Sequence, residues 1–235
     1  MILEVSNLSF SFLDKMVLED ISFSIKQGDM LAVLGPNGVG KTTLIRLLTG
    51  ILQSDKGSIS YFNSGNSNTV KISQRRLMGI MYPIEGIYLK MTGYEYLAFI
   101  GAICEMDSDK IKLTIEQLSN DLFLKDEIHR EIKKYSSGTK KKIEFCAAIM
   151  HSPKILFLDE PFESVDPKAS FEIKMYIKEY VRLGGSLIIT SHILETIQNL
   201  CTRYIMIKNG YVVSSNYINK NENLEKIYME VMNHE

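Results

Sequence analysis

Residues 1–34 alternate apolar and polar positions in three short runs, ILEVSNLSFSF, VLEDISFSI and DMLAVLG. This is the period-2 pattern of half-buried strands, and Lys26-Gln27-Gly28-Asp29 supplies a turn between the second and third. LIRLLTGIL (44–52) changes to helical spacing and starts on the Lys41-Thr42 pair, GSISYF (57–62) reads as another strand, and NSGNSNT (63–69) as a polar loop tip. From 92 to 152 the period is 3.6 throughout, in TGYEYLAFIGAICEM, DKIKLTIEQLSNDLFL and GTKKKIEFCAAIM, so a helical segment is inserted between strand regions. The lysines 140–142 of that segment are read as a solvated helix face.

ILFLDE (155–160) is a continuous apolar run ending in two acids, the form of a strand buried on both faces. PKASFEIKMYIKEYVRLGG (167–185) is a helix ending in glycines, SLIITSH (186–192) a second buried strand, and HILETIQNLC a further helix. RYIMIKNGYVVSS is a hairpin around Asn209-Gly210. In ENLEKIYMEVM the helical period puts Leu224, Ile227, Tyr228 and Val231 on one face. No internal repeat is visible.

Composition narrows the function classes. A chain of 235 residues that is 45% hydrophobic and 23% charged builds a real core. A net charge of −1 argues against a broad nucleic-acid surface, although a local basic patch stays open. Cys104, Cys146 and Cys201 are widely spaced, form no CxxC and are expected to be reduced thiols of a cytosolic protein. MILEVSNLSF has neither the basic nor the apolar region of a signal peptide, and no run of 18 apolar residues occurs. Any membrane span is therefore expected to belong to another chain.

The chemistry starts at GPNGVGKT (35–42), which fits G-x-x-x-x-G-K-[ST] between an apolar strand and a helix. The candidate nucleotide-binding residues are Gly35, Pro36, Asn37, Gly38, Val39, Gly40, Lys41, Thr42 and Thr43. Backbone N–H groups would close around phosphate oxygens, Lys41 would reach the β- and γ-phosphates, and the Thr42 hydroxyl would ligate Mg²⁺. Asp159 would hold the same Mg²⁺ and Glu160 would polarise the attacking water, though acids also end strands at a plain solvent edge. His192 closes its strand at the same sheet edge, where α/β sheets bind ligands, and an ordinary surface histidine is the alternative.

In this order the parts resemble the nucleotide-binding subunit of ABC transporters over essentially the whole chain. GPNGVGKT looks like that family's Walker A, ILFLDE like its Walker B, ESVDP with Asp166 like its D-loop and TSH like its switch histidine. YSSGT (135–139) occupies the place of the LSGGQ signature. The resemblance implies an α/β fold: a P-loop NTPase core with a mostly parallel sheet, an N-terminal antiparallel β-subdomain and an inserted α-helical subdomain. It would be one ATPase domain, with 1–91 and 153–215 as core and β-subdomain, 92–152 as helical subdomain and 216–235 as C-terminal helix.

The resemblance also implies two such subunits, identical or different, sandwiching two ATP molecules head to tail. Ser136, Ser137, Gly138 and Asp166 would then contact the nucleotide held by the opposite subunit. A plain helix N-cap is the other reading of the serines, and the two are compatible. Phe12 falls where the family places an aromatic against adenine, with a core phenylalanine as the alternative. The match breaks at MGIMYPIEG (78–86): Pro83 stands at the position of the family's loop glutamine, and Glu85 is the nearest oxygen donor. Ser137 and Thr139 also depart from the signature, so ATP binding is expected with slow hydrolysis.

NLEKIYMEV and the signature's lysines resemble exporter-type subunits, which implies a separate transmembrane permease, no nucleic-acid partner, and a cytoplasmic location on the inner face of the membrane. A soluble non-transport ABC-type ATPase and a weakly hydrolysing ATP-binding partner are the alternatives.

Overall fold

The computed structural model describes residues 1–13, 15–62, 67, 70–219 and 221–233, with Ile72 described by its backbone alone. Most of the 63–69 loop tip lies outside the described residues.

Strands β1 (Leu3–Phe12) and β2 (Lys15–Ile25) form an antiparallel hairpin. β1 turns Leu3, Val5, Leu8 and Phe10 inward, and the pairing shifts register past Asn7, which adopts φ 51°. After β3 (Met30–Leu34) and α1 (Lys41–Leu48), β4 (Lys56–Tyr61) adds antiparallel to the other side of β1 and completes a three-stranded sheet of order β2-β1-β4. α2 (Ile72–Arg75) and β5 (Met78–Met81) follow, then a 3-10 turn, Gly86–Lys90.

Three longer helices come next: α3 (Gly93–Ile103), α4 (Ser108–Asp121) and α5 (Ser137–Ile149). α3 starts on a capping box in which the Thr92 hydroxyl and the Glu95 carboxylate each bind the other's backbone N–H. The chain returns through β6 (Ile155–Asp159), α6 (Pro167–Arg182), β7 (Ser186–Thr190), α7 (Leu194–Leu200), β8 (Arg203–Lys208), β9 (Tyr211–Tyr217) and α8 (Leu224–Asn233).

The second sheet has order β5-β6-β7-β3-β8-β9, parallel except for β9. Its two faces explain the unbroken apolar runs. Alternate residues of one strand enter different cores: Leu156, Leu158, Leu187 and Ile189 join the core under the helices, while Ile155, Phe157 and Ile188 join the core against α1 and the three-stranded sheet. Asn209 (φ 51°) and Gly210 (φ 85°) make the tight turn between β8 and β9. α8 buries Leu224 and leans Ile227, Tyr228 and Val231 on the first core.

Some elements differ from the sequence reading. α1 stops at Leu48, with Gly50 in the left-handed region, so residues 49–52 are not helical. α2 and the 3-10 turn have no clear periodicity and were not anticipated. The lysines 140–142 do not form a solvated face. α5 is packed on nearly all sides, and Lys142 carries its ammonium inward to pair with Glu172 of α6 while donating to Leu122 O at 3.0 Å. Lys141 reaches one turn forward along its own helix to Glu144.

Candidate nucleotide site

The loop from β3 to α1 is shaped by glycines at Gly35 (φ 153°), Gly38 (φ 79°) and Gly40 (φ 108°), angles that L side chains resist. A Cβ at Gly35 would strike the Ile207 carbonyl, and one at Gly40 would meet Leu18 and Val17. Gly40 is also the N-cap of α1 and brings no side chain to cap it, so the first-turn amides are left for an anion in the cleft. Lys41 is only 7% exposed, and its ammonium lies over the loop, donating to the carbonyls of Gly35 (2.8 Å) and Pro36 (3.2 Å).

The carboxyl ends of β6 and β7 meet this loop. The Thr42 hydroxyl donates to Asp159 Oδ2 at 2.7 Å, and the Thr190 hydroxyl donates to Asp159 Oδ1 at 2.5 Å. Thr190 Oγ1 also accepts the Glu160 N–H at 2.9 Å, so one threonine sets both acids. Glu160 sits at φ 45°, a conformation costly for a side chain with a Cβ. Its Oε2 accepts the backbone N–H of His192 at 3.2 Å and lies 3.0 Å from His192 Nδ1. His192 thus reaches Glu160 at the strand end, although β7 ends two residues earlier at Thr190.

A cleft of about 750 Å³ opens in front of these groups. Pro36 to Thr43, Asp159 and Glu160 line it, as does Phe12, a residue 47% exposed with its ring set edge-on against Phe10 at 4.8 Å. Phe12 is therefore at the rim and outside the core. The sequence reading missed Lys15, Met16, Val17, Asn209 and Gly210, which complete the lining from the start of β2 and the turn between β8 and β9. Thr190 was missed as well; its only sequence signal was a polar residue closing an apolar strand.

Thr42 and Asp159 present hard oxygen donors a hydrogen bond apart, a set that suits Mg²⁺. Among the described residues no group of three His, Cys, Asp or Glu side chains is placed to hold a metal alone. A Mg²⁺ ion here would take its remaining ligands from phosphate and water, as that ion commonly does.

The other candidates lie outside the lining of this cleft. Ser136 and Ser137 are exposed, and Ser136 caps α5 by accepting the Thr139 N–H at 3.1 Å. Gly138 is buried against the Asp166 carboxylate, whose Oδ1 caps α6 by accepting the Ala169 N–H at 2.9 Å. A side chain at 138 would collide with that carboxylate and with Ala169. The signature stretch and Asp166 are thus brought together in one chain, apart from Lys41. Pro83 and Glu85 are both exposed, with Ile84 buried between them.

The family model for ABC transporters matches residues 18–163. The ABC transporter ATP-binding protein NatA of Bacillus subtilis (strain 168) is 32% identical over 201 residues, covering 83% of this chain and 80% of that protein. The Nod factor export ATP-binding protein I of Rhizobium leguminosarum bv. viciae is 27% identical over 208 residues, covering 88% and 67%. A solved ATP-binding subunit of an ABC transporter superposes with a TM-score of 0.88 over 98% of this chain and 99% of that one, at 24% identity, which speaks to the fold. The chain belongs to the ABC transporter family, as one of its ATP-binding proteins.

Proposed function

We propose that this chain hydrolyses ATP at the cleft in front of Lys41 and uses it to drive a membrane transporter. The observation that carries the reading is the single constellation formed by Lys41, Thr42, Asp159, Glu160, Thr190 and His192 from three separate strand ends.

The loop amides and Lys41 bind the β- and γ-phosphates, and the Lys41 ammonium exchanges its carbonyl partners for phosphate oxygens. Thr42 and Asp159 hold Mg²⁺, which when bound supplies charge for the phosphate oxygens. Glu160 accepts the proton of the attacking water, and His192, on the same carboxylate, fixes its orientation. Phe12 stacks on the base from the rim.

Ser136 and Ser137 are exposed at the start of a 13-residue helix, off their own cleft, which suits capture of a γ-phosphate held by a second subunit. Asp166, against Gly138, braces that edge. Among the described residues no helix is long and apolar enough to cross a membrane. On this reading the span is supplied by a separate permease chain, and this subunit works against it at the inner face of the cell membrane. Kinship with a protein named for Nod factor export supports the export direction. The residue ranges 1–91 with 153–215, 92–152 and 216–235 are the proposed core, helical subdomain and C-terminal helix.

The test is Glu160→Gln, which keeps the shape of the side chain and removes the base. Turnover stops, Mg-ATP stays bound, and light scattering finds a dimer with saturating Mg-ATP. Normal turnover in this variant refutes the role of Glu160. A variant that binds Mg-ATP and remains a monomer, alone and with its permease, refutes the sandwich.

A further inference from the structure

Glu144 lies in the second turn of α5 and is 5% exposed among Ile143, Phe145 and Cys146. A carboxylate is rarely kept in such a place without a task. Its Oε1 accepts the backbone N–H of Ile84 at 3.1 Å, sixty residues away in sequence. Its Oε2 faces the Lys141 ammonium at 3.0 Å, a charge contact without hydrogen-bond geometry. Residues 82–85 belong to no helix or strand, so this bond holds an otherwise irregular segment to a helix. The Ile84 side chain is 6% exposed and plugs the same core.

We infer that Glu144 is a positioning residue, a latch that ties the Pro83–Glu85 loop to α5 and so to the phosphate-capturing end of that helix. The inference rests on the proposed function for what Ser136 does. Glu144 is eight residues beyond Ser136 on a continuous helix, about 12 Å along its axis, so the two ends move as one body. With Ile84 latched inward, Pro83 and Glu85 both face outward. Shifting the loop by two residues, so that Glu85 takes the place of Pro83, would pull Ile84 from the core and break its bond to Glu144. The loop therefore acts through the helix rather than by bringing Glu85 to the phosphates, and this fits a position where proline offers no side-chain donor. Proline also holds its own φ and keeps Tyr82 extended, which presents the Ile84 N–H in one direction.

The test compares Glu144→Leu, which keeps packing and removes the acceptor, with Glu144→Gln, which keeps an acceptor and removes the charge. Glu144→Ala replaces the leucine variant should that one not fold. Without nucleotide, amide exchange over 82–90 rises about tenfold in the leucine variant and stays within about threefold of the parent in the glutamine variant, as loss or retention of one hydrogen bond requires. Affinity for Mg-ATP stays within about twofold in both, because the Lys41 loop is untouched, while kcat falls with KM unmoved in the leucine variant and recovers in the glutamine variant. Unchanged exchange over 82–90 in the leucine variant overturns the latch. So does a rise spread over the whole chain with nucleotide affinity lost equally in both variants, because that describes a structural residue only. The exchange measurement needs no nucleotide, so it judges the latch even if the parent protein fails to bind Mg-ATP and the proposed function falls.

Discussion

Lys142→Ala should be among the most damaging single changes outside the cleft. Lys142 and Glu172 are each 8% exposed, they pair directly, and they join α5 to α6 while the Lys142 ammonium also holds Leu122 O. Removing the lysine leaves a buried carboxylate without its counter-charge and frees the Leu122 carbonyl. Breaking a buried pair from one side costs about 3–5 kcal/mol. For a chain of this length, at about 2–4 °C per kcal/mol, the melting temperature should fall by roughly 6–20 °C.

Glu172→Ala should cost less, because the stranded ammonium keeps its bond to Leu122 O. Lys142→Met with Glu172→Leu, which removes both charges and keeps the volume, should recover most of the loss, since such replacements range from neutral to about 1–4 kcal/mol stabilising. The assay is urea unfolding followed by circular dichroism, with the midpoint read at constant slope so that a change reports stability. A Lys142→Ala loss within about 0.5 kcal/mol, as for an ordinary surface residue, would refute the buried-pair reasoning. So would a double variant no more stable than the sum of the singles predicts.

Two other expectations are simpler to test. On the proposed function, Pro83→Gln in the isolated subunit should raise basal turnover and reduce its dependence on a permease, because glutamine would supply the side-chain amide that Pro83 lacks; no change in either quantity removes this loop position from catalysis. Burial raises the pKa of all three cysteine thiols, strongly for Cys146 and Cys201, and a raised pKa keeps a thiol protonated and unreactive until the pH exceeds it. At pH 8 a thiol-specific reagent should therefore modify the half-buried Cys104 slowly and the other two only after unfolding; prompt labelling of Cys146 would contradict its burial in the core under the helices.

The phosphate loop, the two acids of ILFLDE and the histidine of TSH were legible in the chain because each sits where an apolar run meets a turn. Such local patterns are what neighbour-to-neighbour chemistry writes into sequence. The strands buried on both faces were equally legible, since a continuous apolar run has no solvent side to record. Thr190 was not, because its role depends on β6 and β7 lying side by side in register, so that one hydroxyl reaches both Asp159 and the Glu160 N–H. The far wall of the cleft depends on the first residues of β2, Lys15 to Val17, and the β8–β9 turn, Asn209-Gly210, that only the folded sheets bring side by side.

Lys142 shows the limit most plainly. A run of three lysines has the local appearance of a wet helix face, and period and composition give no other sign. Burial is a property of what packs around a helix, and here α3, α6 and β5 pack against α5, and Leu122 at the end of α4 and Glu172 of α6 turn one lysine into an internal counter-charge. Sequence alone determined most of the strands and longer helices and named the candidate residues for phosphate chemistry, because propensity, period and motif act over a few residues. Tertiary structure alone decided which charges are buried, which threonine sets the acids, and that Ile84 and Glu144 meet, because those contacts join segments from 20 to 60 residues apart.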